Sequence, residues 1–237
     1  MKRAYDLEII DRPVEGVAEY EQSLAQVADV NRLLGGDRAL RMSLAPLLEP
    51  PEPMRLLDVG AGSGAVALGV ARWAARHGRR WSICALDFSP QAAVLARRTV
   101  SVDRSGAPVS VVRANGLRLP FADQSFDAAY TVLTLHHFDD DLAVALLREM
   151  ARVVRRLVVV NDLERSRPAW LGARLLAASV WRGNRITRND GPLSVRRAFT
   201  PGELLEIGRR ARLERATVRR RLAFRLVLEG TPTGDRP

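Results

Sequence analysis

The chain has 237 residues and a formal net charge of +10, and 47% of its residues are hydrophobic. This length predicts one main domain with an elaboration, and the apolar fraction is enough for a full core. No apolar run reaches the roughly 18 residues of a membrane span, and the N-terminus lacks the apolar stretch of a signal peptide. The single cysteine, Cys84, excludes a disulfide framework and a cysteine-based metal site. We therefore expect a cytoplasmic protein.

The positive charge would ordinarily suggest a nucleic-acid partner. Lys2 is the sole lysine, however, and the arginines are scattered along the chain, which is typical of a genome-wide compositional bias. The densest run, Arg219-Arg220-Arg221, lies between two strand-like segments, where a solvated turn explains it. The composition therefore argues against a nucleic-acid partner.

Two helices are predicted before a strong break in the chain. Residues 14–34 carry apolar side chains at three- and four-residue steps, Gly35-Gly36 ends this helix, and a shorter helix follows. The run Pro50-Pro51-Glu52-Pro53 then interrupts regular structure. We therefore assign residues 1–50 to an N-terminal helical cap and residues 51–237 to the main domain.

Apolar strands alternate with helices through the middle of the chain. After a first strand and a glycine turn, strands are predicted at 81–87, 109–114, 126–133 and 156–162. This alternation implies parallel strands joined by helices, with both faces of the sheet covered. Residues 164–200 predict a helical insert, with one helix around Trp170 and Trp181 followed by a polar, arginine-bearing loop. Segments 213–219 and 222–229 could form a closing hairpin.

The glycine turn is the strongest functional signal. Gly60, Gly62 and Gly64 follow a buried strand and open a helix, which is typical of a nucleoside site. The pattern fits a dinucleotide as well as S-adenosylmethionine, and Asp87, about twenty residues on, would bind the ribose of either. Asp58 distinguishes the two ligands. Its carboxylate would repel the pyrophosphate of a dinucleotide, and it would suit the ammonium and sulfonium of S-adenosylmethionine.

Four segments occur in the order and spacing that a known family shows. The alternative is that the chain is a dehydrogenase or another nucleotide-binding protein. They resemble the class I S-adenosylmethionine-dependent methyltransferases (methyltransferase type 11), in the branch that contains the ubiquinone/menaquinone methyltransferases. The resemblance covers roughly residues 54–162 and rests on Leu57-Asp58-Val59-Gly60-Ala61-Gly62-Ser63-Gly64, Leu86-Asp87-Phe88-Ser89, Leu119-Pro120-Phe121-Ala122-Asp123-Gln124-Ser125-Phe126-Asp127 and Leu135-His136-His137-Phe138.

The resemblance implies an α/β, Rossmann-like fold with a seven-stranded, mostly parallel sheet and helices on both faces. It also implies S-adenosylmethionine as cofactor, with Asp58 near its amino group, Asp87 on both ribose hydroxyls and Phe88 on the adenine. The whole implied cofactor-binding set is Asp58, Gly60, Ala61, Gly62, Gly64, Asp87, Phe88, Asn115, Gly116, Leu117 and Thr131.

Asn115 departs from the family pattern, in which an acid commonly accepts a hydrogen bond from the adenine amino group. An amide oxygen still accepts that bond, although without charge. The alternative is that Asn115 only forms a turn, since Asn115-Gly116 is a turn signal.

His136 and His137 are the candidate catalytic residues, because they follow the fourth strand at the edge where such sheets bind ligands. A base is required only if the acceptor must lose a proton, and the pair could simply line the site. In an extended chain neighbouring side chains point to opposite sides, so at most one should face the pocket. No spacing of histidines and carboxylates predicts a metal site.

The parts outside the core are expected to choose the methyl acceptor. Arg32 in the cap and Trp170 and Trp181 in the insert are the candidate substrate-pocket residues, or they only dock these helices on the sheet. The chain also resembles bacterial methyltransferases of secondary metabolism that modify polyketide-derived phenols or quinones. We therefore predict O- or C-methylation of a small aromatic or lipophilic molecule. The alternatives are an RNA or protein methyltransferase and a non-catalytic S-adenosylmethionine-binding protein. The oligomeric state stays open.

Overall fold

One seven-stranded sheet forms the centre of the molecule in a computed structural model that describes residues 1–12, 14, 16–49 and 51–233. The strand order is β3-β2-β1-β4-β5-β7-β6. The strands are β1 (Met54–Val59), β2 (Trp81–Asp87), β3 (Val109–Arg113), β4 (Phe126–Val132), β5 (Val154–Leu163), β6 (Glu214–Arg221) and β7 (Arg225–Thr231).

The first five strands are mutually parallel, and the last two close the sheet as an antiparallel hairpin. β1 pairs in parallel with β2 and β4, whereas β7 runs antiparallel to both β5 and β6. The prediction of a seven-stranded, mostly parallel sheet is therefore confirmed, and so is the closing hairpin.

Eight α-helices surround the sheet in the described part of the chain. They are α1 (Val17–Leu33), α2 (Gly36–Leu44), α3 (Ala65–Arg76), α4 (Pro90–Ser101), α5 (Asp140–Val153), α6 (Arg167–Ala178), α7 (Arg185–Arg197) and α8 (Pro201–Arg210). Ser89 and Asp139 cap α4 and α5 with their side-chain oxygens, as the sequence predicts. The predicted first helix is shorter at its start, and Glu15 and Pro50 lie outside the described residues.

Two sequence expectations are wrong in detail. The segment expected as a polar loop after the first insert helix is α7, which Asn184 caps by accepting a hydrogen bond from the Thr187 N–H group. Its polar side chains are buried because they bind the N-terminal segment, a tertiary effect that local pattern does not reveal. The run Arg219–Arg221 lies inside β6 and not in a turn. Charged side chains on such an edge strand discourage pairing with another sheet.

The core consists of one apolar cluster on each face of the sheet. Leu56 and Leu57 are successive residues of β1 and are both fully buried, but they belong to the two different clusters. This follows from the strand geometry, in which neighbouring side chains point to opposite faces. Burying both faces leaves the carboxyl edge of the parallel strands as the place for ligands.

The N-terminal segment and the insert lie together beyond that edge. The N–H groups of Ile9 and Ile10 donate to the two carboxylate oxygens of Asp190 on α7, at 2.9 and 3.0 Å. The Asn184 amide donates to the Glu19 carbonyl oxygen of α1 at 3.0 Å. No helix in the described ranges has both the length and the apolarity to cross a bilayer.

Candidate functional site

The turn after β1 is a tight glycine loop that only these residues can form. Gly60 has φ +78°, and a Cβ atom placed on it would lie 2.4 Å from Oγ1 of Thr134. Gly64 has φ +75°, and its Cβ would lie 3.2 Å from the Cβ of Ala96 on α4. Side chains at these positions would be strained and would clash, so glycine brings the backbone close to whatever binds above it.

Asp87 ends β2 beside this loop and is held by backbone donors. Its Oδ2 accepts the Gly62 N–H at 2.8 Å, and its Oδ1 accepts the Ser89 N–H at 2.9 Å. Burial raises the pKa of Asp87, although these hydrogen bonds oppose the rise. Each carboxylate oxygen keeps a free lone pair, so the fixed carboxylate can accept two further hydrogen bonds from neighbouring hydroxyls.

Asp58 is a buried carboxyl group beside the Tyr130 hydroxyl. It is 1% exposed, and its Oδ2 makes no hydrogen bond of normal geometry with the described residues. Burial and the nearby charge of Asp87 raise its pKa well above the ordinary value, although the Tyr130 hydroxyl opposes the rise. A buried acceptor of this kind is unfavourable unless a ligand donates to it, and an ammonium group would do so.

Two adjoining cavities lie over the glycine loop and form the candidate donor site. The larger has a volume of about 540 Å³ and the smaller about 90 Å³. Of the predicted cofactor-binding residues, Gly60, Gly62, Asp87, Phe88 and Gly116 line the larger, while Asp58, Gly60, Ala61 and Gly62 line the smaller. Phe88 is 68% exposed and forms part of the rim, where an adenine ring could cover it.

Four predicted positions lie outside the lining of both cavities. They are Gly64, Asn115, Leu117 and Thr131. The Asn115 side-chain oxygen accepts a hydrogen bond from the Leu117 N–H at 2.9 Å, as expected for the alternative in which Asn115 only forms a turn. Thr131 is fully buried within β4. Instead Thr134 lies beside the loop, since its hydroxyl donates to the Gly60 carbonyl oxygen at 3.3 Å.

A third cavity of about 400 Å³ lies between the N-terminal segment, α1, α6, α7 and the β6–β7 turn. Apolar side chains dominate its wall, and the charged or titratable ones are Glu8, His136, His137, Asp190 and Arg225. Its size and lining suit a small, largely apolar molecule. This cavity is the candidate acceptor site.

Leu24 and Leu133 mark the junction of the donor and acceptor cavities, because each lines all three cavities. Leu133 directly follows β4 and has φ +55°, a left-handed conformation that is unfavourable for leucine. Its N–H donates to the Asn161 carbonyl oxygen at 3.0 Å, which holds the strained residue in place. Ile10 and His137 also line both the larger donor cavity and the acceptor cavity, so these four side chains lie where the two cavities adjoin.

His136 lines the acceptor cavity and is oriented by an acid at the end of β5. Its Nδ1 lies 2.7 Å from Oδ1 of Asp162, and its backbone N–H donates to Asp162 Oδ2 at 3.1 Å. Burial raises the pKa of Asp162, but its interaction with the His136 ring and its hydrogen bonds with the Leu163 and His136 N–H groups prevail and lower it. In the neutral imidazole a carboxylate at Nδ1 favours the tautomer with the proton on Nδ1, in which Nε2 carries the lone pair of a base.

His137 lines both the larger donor cavity and the acceptor cavity, and it is bound to an acid. Its Nδ1 lies 2.7 Å from Oδ1 of Asp11. Burial would lower the pKa of His137, but the charge of Glu8 and the bond to Asp11 raise it to about 9. His137 is therefore protonated at neutral pH and cannot accept a proton there, which leaves His136 as the candidate base.

The expectation that at most one histidine faces the pocket is wrong. Residues Leu135–His137 form a 3-10 turn and not an extended segment, so successive side chains do not point to opposite sides. The two rings lie 4.4 Å apart between centroids. Arg197 holds the turn by donating to the carbonyl oxygens of His136 and His137 at 3.2 and 2.6 Å.

Glu8 completes this cluster from the N-terminal segment. It is 2% exposed, and its Oε1 lies 3.7 Å from His136 Nε2 and 3.7 Å from Arg197 Nε. Glu8, His136 and His137 offer ligand atoms within 4.8 Å of one another, an arrangement that sequence spacing did not predict. These three residues belong to a network of ion pairs, which also contains Arg197 and the acids that contact the Nδ1 atoms of the two histidines.

Of the three predicted substrate-pocket residues, the structure brings only Trp181 to the acceptor cavity. Trp181 is 6% exposed and lines that cavity. Gly191 makes room for it, because a Cβ there would lie 2.3 Å from Cζ3 of the indole. Arg32 is exposed and pairs with Asp29 on its own helix, and Trp170 packs outside the cavity wall.

Sequence reasoning missed several residues of the acceptor site, namely Glu8, Asp11, Asp162, Asp190, Arg197 and Arg225. Asp162 could have been predicted from the sequence, because it lies at the carboxyl end of a parallel strand, as Asp58 and Asp87 do. No local signal distinguishes the others, since their roles arise from contacts between distant segments.

Comparison with known proteins is consistent with this geometry. A family profile described as a methyltransferase domain matches residues 56–156. Demethylmenaquinone methyltransferase from Roseiflexus sp. (strain RS-1) is 35% identical over 154 residues, which make up 62% of this chain and 57% of that protein. The O-methyltransferase rstn1 from Aspergillus nomiae is 36% identical over 101 residues, or 43% of this chain and 42% of that protein. The chain therefore spans about half the length of these relatives.

A solved structure extends the likeness over nearly the whole chain. The crystal structure of a SAM-dependent methyltransferase from Aquifex aeolicus superposes with a TM-score of 0.65 and covers 90% of this chain and 98% of that one. The two sequences are 17% identical, so this likeness establishes the fold.

Proposed function

The chain belongs to the class I S-adenosylmethionine-dependent methyltransferases, and on this premise we propose that it methylates a small molecule in the cytoplasm. The acceptor is an aromatic or lipophilic compound such as a phenol or a quinone, modified on oxygen or carbon. The observation that carries this proposal is the junction at Leu24 and Leu133, where the donor cavities meet an apolar cavity of about 400 Å³.

The residues of the donor cavities suit S-adenosylmethionine. The buried carboxylate of Asp58 matches its ammonium group, and Asp87 has lone pairs for the two ribose hydroxyls. Gly60 and Gly62 let the backbone approach closely, and Phe88 can cover the adenine. The bound cofactor supplies an activated methyl group on its sulfonium, so the protein contributes alignment and exclusion of water.

In this proposal His136 accepts the proton that the acceptor loses. A phenolic hydroxyl in the acceptor cavity would donate to Nε2 of His136, while Nδ1 donates to the buried Asp162. Asp162 keeps the imidazole in the required tautomer and stabilises the imidazolium that forms. Arg197 and Asp190 hold the histidine turn and the N-terminal segment, which form part of the wall of the acceptor cavity.

The open acceptor cavity favours an enzyme over a non-catalytic S-adenosylmethionine-binding protein. In that alternative Trp170 or Trp181 would block the second pocket. Trp181 instead forms part of the wall, and Trp170 lies outside it. The cavity volume of about 400 Å³ also suits a small-molecule acceptor.

Asp87→Ala tests the cofactor assignment directly. We expect calorimetry to detect no binding of S-adenosylmethionine to this variant, because the ribose loses its acceptor and the glycine loop loses a hydrogen bond. Near-native affinity would contradict the assignment. A screen of phenols and hydroquinones, with product mass measured, then tests the acceptor class, and a screen in which none gains a methyl group would contradict it.

A further inference from the structure

Arg225 is the least satisfied charged side chain of the acceptor cavity. It begins β7, is 2% exposed and lines the cavity. In the part of the chain that the structure describes, its Nε and Nη1 are buried and have no hydrogen-bond partner. A buried cation without a partner is unfavourable, so its retention here requires a compensating interaction.

The nearest acids do not provide that interaction directly. Asp162 already accepts hydrogen bonds from Nδ1 and N of His136 and from the Leu163 N–H at 2.7 Å. Asp37 accepts from the Asn31 amide at 2.7 Å. Burial lowers the pKa of Arg225 to about 10, even though the charges of both acids raise it. The guanidinium is therefore charged at neutral pH and forms no ion pair with the residues that the structure describes.

We propose that Arg225 binds a carboxylate on the methyl acceptor, so that the substrate is an aromatic or lipophilic acid. A guanidinium holds a carboxylate through two parallel N–H···O bonds. Arg225 is the one arginine among the described lining residues of this cavity, which suits a single negative charge. A neutral carbonyl oxygen would leave the buried charge uncompensated. The inference rests on the proposed methyl transfer.

The positions of Arg225 and His136 define how such an acid lies. Leu163 pairs with Arg225 and Asp162 with Leu226 in the β5–β7 ladder, so Arg225 and the acid that orients His136 occupy neighbouring rungs. Glu8 lies beside His136 and would repel a carboxylate there. The carboxylate therefore lies at Arg225, and the group that receives the methyl lies at His136.

Paired probes that differ only in the carboxylate test this inference without using catalysis. With the protein saturated by S-adenosylhomocysteine, calorimetry compares the binding of 1-hydroxy-2-naphthoate with that of 1-naphthol. We expect the wild-type chain to bind the acid at least about tenfold more tightly. Arg225→Met should remove this preference by weakening only the acid. Arg219→Met, an exposed arginine on the neighbouring strand, is the matched control and should keep it.

Equal affinities of the wild-type chain for the two probes would overturn the inference, and so would a preference that survives in Arg225→Met. If the methionine variant does not fold, Arg225→Lys keeps the charge but loses the planar fork, and it should show a reduced preference. An unchanged preference in that variant would also count against the assignment. Absence of methyl transfer with a preserved preference would contradict the proposed function alone.

Discussion

The Nδ1 atom of His136 lies 2.7 Å from Oδ1 of Asp162, a residue at the end of the neighbouring parallel strand. The same carboxylate accepts hydrogen bonds from two backbone N–H groups, and these bonds fix its position. The pair therefore presents Nε2 of His136 to the acceptor cavity in a defined orientation, as a base requires.

His136→Ala should lower turnover by roughly 10²- to 10⁴-fold, the usual contribution of a positioned base. Asp162→Asn should also lower turnover, because its amide can donate to Nδ1 and favour the wrong tautomer. Neither change should alter the affinity for S-adenosylmethionine, measured by calorimetry. His77→Ala, which alters a histidine outside the three cavity linings, is the control. Unchanged turnover in His136→Ala would make this histidine a wall residue.

Asp58 predicts that cofactor affinity depends on pH. Because burial raises the pKa of this carboxyl, part of the empty protein carries it protonated, and only the ionised form pairs with an ammonium. Affinity for S-adenosylmethionine should therefore rise with pH as Asp58 ionises. Asp58→Asn should bind at least about tenfold more weakly and lose that pH dependence. Calorimetry across the acidic to neutral range decides this, and identical curves for both proteins would contradict it.

The His137–Asp11 pair predicts a pH window of stability. The pKa of His137 is raised to about 9, so its stabilisation is complete below its unfolded value of about 6.5 and is lost as the pH rises through 9. The pKa of Asp11 is lowered to about 2 against burial, chiefly by its hydrogen bond to His137, so its stabilisation is lost only in strong acid.

His137→Gln should therefore melt lower than the wild-type chain, by about 2 °C or more, at mildly acidic pH. The difference should shrink as the pH passes 9, because the wild-type histidine then loses its charge. Thermal denaturation followed by circular dichroism measures both effects. A melting difference that stays constant across this range would show that the ion pair does not contribute.

Gly191→Ala should damage acceptor binding alone. The new methyl group would lie 2.3 Å from Cζ3 of Trp181, so the indole must move into the acceptor cavity. We expect kcat/KM for a bulky acceptor to fall by about tenfold, with cofactor affinity unchanged. Gly202→Ala is the matched control, since a Cβ there meets nothing within 4 Å. Equal loss for small and bulky acceptors would argue against a steric cause.

The sequence alone determined the alternation of strands and helices, the glycine loop and the donor site. These features depend on local patterns, such as apolar periodicity and positions where only glycine fits, and on acids that end strands. Gly60, Asp58 and Asp87 could therefore be assigned from their neighbours in the chain, and the structure places all three at the donor cavities.

The acceptor site was decided by tertiary structure. Glu8, Asp190, Arg197 and Arg225 come from the N-terminal segment, α7 and β7, and each has an ordinary local sequence context. The segment expected as a loop is α7, in which Asp190 and Arg197 bind residues 180 or more positions away, at Ile9, Ile10, Asp6 and Asp11. Pairings at such distances leave no periodicity to read, so the proposed acceptor cavity emerges only when the chain is folded.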